Sequence, residues 1–196
     1  MKLTGVEQAE GRLSFKLANT YTGFANAIRR LGIGQVPIFA IESVTMYENT
    51  SSLFDEYIAN RLCLVPLSMA QGYGKDEKVM LSLDGEGPGT IYSRDLRSHD
   101  RKIQPVHENI PIMKLAEGQK LRLEATAVQG VGRLHAKFQP GIVTYGYDEK
   151  EGEFKFHVES FGQLSPVGML ATAADTLIQK CDELEKQLDE KSGGGR

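Results

Sequence analysis

Cysteine is scarce in this chain, with only Cys63 and Cys181 among 196 residues. The two are far apart and both fall in apolar patterns, so they read as buried reduced thiols. Neither a disulfide framework nor a cysteine-ligated metal site can be built from them. No apolar run approaches the roughly 20 residues that a membrane-spanning helix needs. The first ten residues lack a positive stretch followed by an apolar run, so no signal peptide is expected. Positive charge is not in excess either. A net charge of −3 and a pI near 5.9 argue against a protein whose main task is to bind nucleic acid non-specifically. These absences point to a soluble cytoplasmic protein. The hydrophobic content of 40% is enough for an ordinary core in one large domain or two small ones.

Catalytic signatures are also missing. The histidines are His99, His107, His135 and His157, and none is spaced from another His or from a Cys as metal ligands are. Gly85–Gly89 and the stretch from Gly72 to Lys75 lack the Gly-Lys-Ser/Thr ending of a phosphate loop, and Pro88 removes a backbone N–H that phosphate would need. No Gly-x-Ser-x-Gly elbow and no Asp-rich metal-binding loop is present. The cluster Arg94, Arg97, Arg101 and Lys102 is interrupted by Asp95 and Asp100, with only Tyr92 near enough in sequence for stacking. It reads as a solvated loop, with a nucleic-acid-binding module as the rival. A metal-dependent hydrolase built on His107 and His135 is a more distant rival.

The C-terminal region is richest in pattern. Leu170, Ala174, Leu177, Cys181, Leu184 and Leu188 follow one another in steps of 4, 3, 4, 3 and 4, a heptad seam about 27 Å long. Ser165 and Pro166 supply an N-cap and a first-turn proline, and Gly193–Gly195 a stop. Such a seam serves either as a core stripe within one domain or as a docking surface for another chain.

Upstream, Leu13, Phe15 and Leu17 alternate as a strand. Capping residues in Asn19–Thr22 precede Phe24, Ala27, Ile28 and Leu31 at helical spacing, with Arg29 and Arg30 in the last turn and Gly32 as the stop. Adjacent helical residues point about 100° apart. Two arginines closing a helix favour its dipole. At most one of them can cover the intrachain surface well, which leaves the other free for a bidentate contact with a carboxylate on a neighbour. Ile38–Met46 reads as a strand. Ser52 and Asp55 make a capping-box-like start to a short helix over Leu53–Leu62. Val79, Leu81 and Leu83 form a strand, Asp84–Gly89 a loop, and Leu121, Leu123, Ala125 and Ala127 another strand that Gly130–Gly132 breaks. Phe154, Phe156 and Val158 alternate before the final helix. The fold class is α+β: one unit from residues 1–46 and 154–196, containing strands and two helices that pack together, interrupted by a mainly-β unit at 47–153.

Three stretches carry a resemblance. They are Phe24–Leu31 (FANAIRRL), Asn49–Leu67 (NTSSLFDEYIANRLCLVPL), and His107–Gln119 with Gly132–Pro140 (GRLHAKFQP). As an ordered set this resembles the RNA polymerase alpha subunit family, in its archaeal and eukaryotic branch. The resemblance implies a discontinuous dimerisation domain with an insert domain, and a non-catalytic assembly role. It implies pairing with a small L subunit through Phe24, Ala27, Ile28, Leu31, Leu170, Ala174, Leu177, Cys181, Leu184 and Leu188. It further implies recruitment of the N and P subunits, and contact with the second-largest subunit through Arg29, Arg30, Asp55, Glu56 and Arg61. A homodimeric scaffold is the alternative within the family.

Two departures stand out. Many members of the family carry a cysteine-rich iron–sulfur insertion after the segment matching His135–Pro140, whereas Gly141–Glu153 is short and has no cysteine, so no cofactor is expected. Cys63 also replaces a usual glycine, which tells against a left-handed turn at that point.

Overall fold

The computed structural model describes residues 1–70, 72–74 and 76–192, which divide into two units. The first contains residues 1–36, 140–160 and the C-terminal helix; the second contains 37–139 and 161–164.

The first unit is a four-stranded antiparallel sheet with two helices. Its strands are β1 (Lys2–Ala9), β2 (Arg12–Ala18), β9 (Gly141–Asp148) and β10 (Glu153–Ser160), in the order β1-β2-β10-β9. The period-2 alternation of β2 and β10 puts Leu13, Phe15, Leu17, Phe154, Phe156 and Val158 on one buried face. There Phe15 and Phe156 stack with ring centroids 4.9 Å apart. Helix α1 (Thr22–Gly34) packs on β9 and on the last helix, α3 (Pro166–Ser192), which also meets β10 and β2. Gly32 lies inside α1 and does not end it. A Cβ there would come within 3.0 Å of the Val143 side chain, so glycine is what allows helix and strand to approach. The expected side-chain cap of α1 is not made; Tyr21 is the N-cap residue, and Asn19 adopts the left-handed conformation at φ 54°. At α3, Ser165 does cap, its Oγ accepting from the Gly168 N–H at 3.0 Å. The proposed glycine stop at 193–195 lies outside the described residues.

The second unit is built on the sheet β3-β8-β4-β6, from β3 (Pro37–Asn49), β4 (Lys78–Glu86), β6 (Arg97–Ser98) and β8 (Lys120–Val131). A ribbon of β5 (Gly89–Tyr92) and β7 (Pro111–Leu115) and the helix α2 (Asp55–Cys63) complete it. Leu81, Leu83, Leu121, Leu123, Ala125 and Ala127 meet Phe39, Ile41, Ile58 and Leu62 in one core.

The boundaries differ from those read in the sequence. The unit borders fall at Val36/Pro37 and Gln139/Pro140, not after residue 46 and before 154. The reason is strand pairing. β3 takes its backbone partners from β8, and β9 takes its partners from β10, and neither choice is written in local periodicity. The segment 84–89 is less of a loop than its composition implies, because β4 extends to Glu86 against β8 and β5 starts at Gly89. Ser52 does not cap α2. Asn49 organises that turn instead, donating from Nδ2 to the Leu53 carbonyl at 2.9 Å and to Asp55 Oδ1 at 2.7 Å.

Candidate docking surface

Helices α1 and α3 carry most of the residues singled out above. In α1, Ala25 and Gly32, seven residues apart, form the fully buried stripe, while Phe24, Ala27, Ile28 and Leu31 are half-buried beside it. The helix runs on to Gly34, so Arg29 and Arg30 are not in its last turn and do not serve its dipole there. Arg29 is half-buried, with Nε and Nη2 donating to Asn26 Oδ1 at 3.3 and 2.9 Å. Arg30 is exposed.

The heptad seam of α3 divides into two parts. Pro166, Met169 and Ala173 are the positions that face the unit's own core, one step round the helix from the seam. Leu170, Ala174 and Leu177 are half-buried. From Ile178 through Lys191 every residue is exposed, a run of about 21 Å at 1.5 Å per residue. Ile178, Leu184 and Leu188 are 58%, 58% and 59% exposed. Cys181 lies in this stretch, so the expectation of a buried thiol fails there; α3 has run past anything in its own unit that would cover it. Cys63 is half-buried in the last turn of α2, with its Sγ donating to the Asn60 carbonyl at 3.0 Å. Burial pushes its thiol up, opposed by the Lys137 ammonium and reinforced by Glu42. Leu64, the next residue, is right-handed at φ −92°, so no left-handed turn forms there.

The α2 region of the second unit contains Asp55, Glu56 and Arg61. Asp55 and Glu56 are exposed in the first turn, where carboxylates favour the helix dipole. Arg61 is bound within its own unit. Its Nε donates to the Ile112 carbonyl at 2.7 Å and its Nη2 to that of Pro111, tying α2 to β7. The prominent exposed side chains here are apolar: Phe54 at 80%, with Tyr57 and Leu64 more than half exposed. The resemblance pointed to the Asp55–Leu67 segment as a whole and singled out Asp55, Glu56 and Arg61, not these three. The available signal was the surplus of apolar residues in and flanking a nine-residue helix whose core face needs only Ile58 and Leu62.

The rival sites gain nothing from the geometry. Arg94 stacks over the Tyr92 ring at 4.4 Å and donates to Asn109 Oδ1 at 2.6 Å, so the one aromatic of the basic cluster is already covered. His107 Nε2 lies 3.1 Å from the Phe161 carbonyl, and His135 Nδ1 accepts from the Lys137 N–H at 3.1 Å. Among the described residues no group of three or more His, Cys, Asp or Glu is placed to hold a metal ion. No helix among them is long and apolar enough to cross a membrane. A cleft over the outer face of the second sheet is lined by Tyr47, Asp84, Arg97, Arg122 and Glu124. There the Tyr47 hydroxyl donates to Glu124 Oε2 at 2.9 Å.

What remains is the exposed apolar stripe in the second half of α3. Residues 33–144 match the RNA polymerase Rpb3/RpoA insert domain. The chain is 48% identical over 149 residues to DNA-directed RNA polymerase subunit Rpo3 of Pyrococcus furiosus, a match covering 72% of this chain and 57% of that protein. It thus spans little more than half of the Pyrococcus relative. It is 41% identical over 166 residues to subunit Rpo3 of Methanocaldococcus jannaschii, covering 85% of each. The similarity to subunit Rpo3 of Halobacterium salinarum is 36% over 236 positions, 93% of this chain and 95% of that protein. Those 236 positions exceed the 196 residues of this chain, so the Halobacterium protein carries residues with no counterpart here.

Proposed function

This chain belongs to the family of RNA polymerase subunits defined by the Rpb3/RpoA insert domain, and we propose from that premise that it is a non-catalytic assembly subunit of a DNA-directed RNA polymerase. It contributes to nucleotidyl transfer by holding other subunits together. The observation that carries this reading is the second half of α3, whose apolar stripe is exposed from Ile178 onward. An isolated helical stretch of that length gains little by itself in water. Its leucines become useful when a second chain buries them, and obligate subunit interfaces are apolar in this way.

In this proposal the partner on α1 and α3 is the small L subunit. The pair then recruits the N and P subunits and serves as the platform for the second-largest subunit. Arg30 is the better placed of the two arginines for that last contact, because Arg29 is held by Asn26. On α2, Phe54 and Tyr57 are better anchors than Arg61, since buried aromatics dominate interface energetics and Arg61 is committed to β7. The chain needs no cofactor in this role.

The test is light scattering of the purified chain, alone and co-expressed with a candidate L subunit. A chain that aggregates alone and yields a 1:1 heterodimer with L supports the assignment. A monodisperse monomer indifferent to L overturns it.

A further inference from the structure

The outer face of the second sheet, turned away from α2 and the buried leucines, carries charges that the chain leaves unpaired. In the strand order β6-β4-β8-β3 it presents Arg97, Asp84, Arg122 and Glu48. Asp84 stands directly opposite Arg122, Arg122 directly opposite Glu48, and Arg97 on the diagonal from Asp84. The signs alternate, and opposite charges so placed on neighbouring strands commonly pair. Here none of the four forms an ion pair among the described residues. The outer face of the first sheet behaves differently, with Arg12 on Glu159 at 3.3 Å, Lys16 on Glu151 at 3.0 Å and Lys155 on Asp148 at 2.7 Å. The cause is Tyr47, the extra residue of a bulge in β3. The Arg122 guanidinium lies over its ring, 5.9 Å from the centroid, and its hydroxyl occupies Glu124. Ser82, short and set between Glu124 and Arg97, leaves a cleft of about 640 Å³ among these long side chains.

We infer that this cleft docks a helix of another polypeptide, laid across the strands, with an acidic, a basic and an acidic residue on successive turns. Strands lie about 4.8 Å apart and a helical turn rises about 5.4 Å, so those residues meet Arg97, Asp84 and Arg122 in order. The guanidinium groups take the carboxylates and Asp84 takes the cation. Each exposed pair adds little to affinity, but the order of signs selects the partner. A nucleic-acid strand fits less well, because it brings a negative charge with every phosphate and no cation for Asp84. A second copy of this chain fits less well too. It would set one concave face on another, with the two Ser82 floors held apart.

The experiment titrates two synthetic helical peptides into the isotopically labelled full chain and follows backbone amide shifts. One peptide carries Glu, Lys and Glu at four-residue spacing, the other Lys, Glu and Lys. The first should move the amides around Ser82, Arg97 and Leu123 and bind about tenfold more tightly than the second at low salt. That ratio should fall as salt screens the charges. The variant Asp84→Lys, Arg97→Glu, Arg122→Glu should prefer the second peptide. Arg97→Ala alone should weaken the first peptide severalfold, which keeps the test decisive if the triple variant does not fold. Equal affinity, shifts confined to other regions, or variants that bind as the native chain does overturn the inference. So does a single-stranded oligonucleotide that binds these amides more tightly than the first peptide, which would make the cleft a phosphate site. Shifts there on concentrating the chain alone would likewise overturn it, in favour of a second copy.

Discussion

Arg61 and Tyr73 illustrate how a polar side chain is given its role by distant backbone. Arg61 reaches the carbonyls of Pro111 and Ile112 some fifty positions away in sequence, which no local pattern announces. Tyr73 donates its hydroxyl to Asp100 Oδ2, and its ring meets Phe39 edge-on at 5.2 Å. The bond to Asp100 first, then burial, pushes the Tyr73 hydroxyl up to about 12 from its ordinary 10.0, and the same bond lowers the Asp100 carboxyl. A hydroxyl whose folded value is raised stabilises the fold fully below pH 10, and that contribution is lost as pH climbs toward about 12. The carboxyl works in the opposite sense, its contribution complete above 3.8 and lost as pH falls through its lowered value. Comparing denaturation midpoints of the native chain and Tyr73→Phe should therefore show a constant gap from neutrality to pH 10 that closes by about pH 12. A gap that persists unchanged at pH 12 would show that the hydroxyl does not bond Asp100.

At the scale of elements, α3 is the informative case. Its 4-3-4-3-4 apolar spacing is plain in the sequence, but spacing alone left open whether the stripe faced its own domain or another chain. Packing divides it: Pro166, Met169 and Ala173 take the core contact, and Leu184 and Leu188 are left outside. Replacing Leu184 with glutamate removes no intrachain burial worth counting. The chain alone should keep its stability to within about 0.5 kcal/mol, as exposed substitutions usually do. If the proposed L subunit covers this stripe, pairing with it should fall by a factor of ten or more, since a charge would enter an apolar interface. Chemical denaturation of the variant and its heterodimer yield on co-expression check the two halves of this expectation. A normal yield would remove Leu184 from the interface. The α1 helix teaches a different lesson. Gly32 is a stop signal by type, yet the helix continues through it because Val143 requires the close approach. The missed strands β1, β5, β6, β7 and β9 are short or contain glycines, and pairing with neighbours defines them more than their own alternation does.

Across the whole chain, the two cysteines lie in different units, one in α2 and one in α3. An iron–sulfur cluster needs four protein ligands, in most cases thiolates. The chain purified without exposure to oxygen should therefore contain no stoichiometric iron and show no absorption band of such a cluster, as elemental analysis and visible spectroscopy would establish. Iron at one cluster per chain would refute this. The amino-acid order by itself determined the α+β class, the alternating core strands, the heptad helix, the want of catalytic groups and the family resemblance, because each depends on residue type at short spacing. Tertiary structure alone decided that the chain leaves the first unit at Pro37 and returns to it at Pro140, that Asn49 and not Ser52 shapes the start of α2, and that Arg61 is an internal strut. It also decided that half of α3 is left uncovered. These outcomes depend on which strands pair and which surfaces are already filled, and such choices are made by residues scores of positions apart.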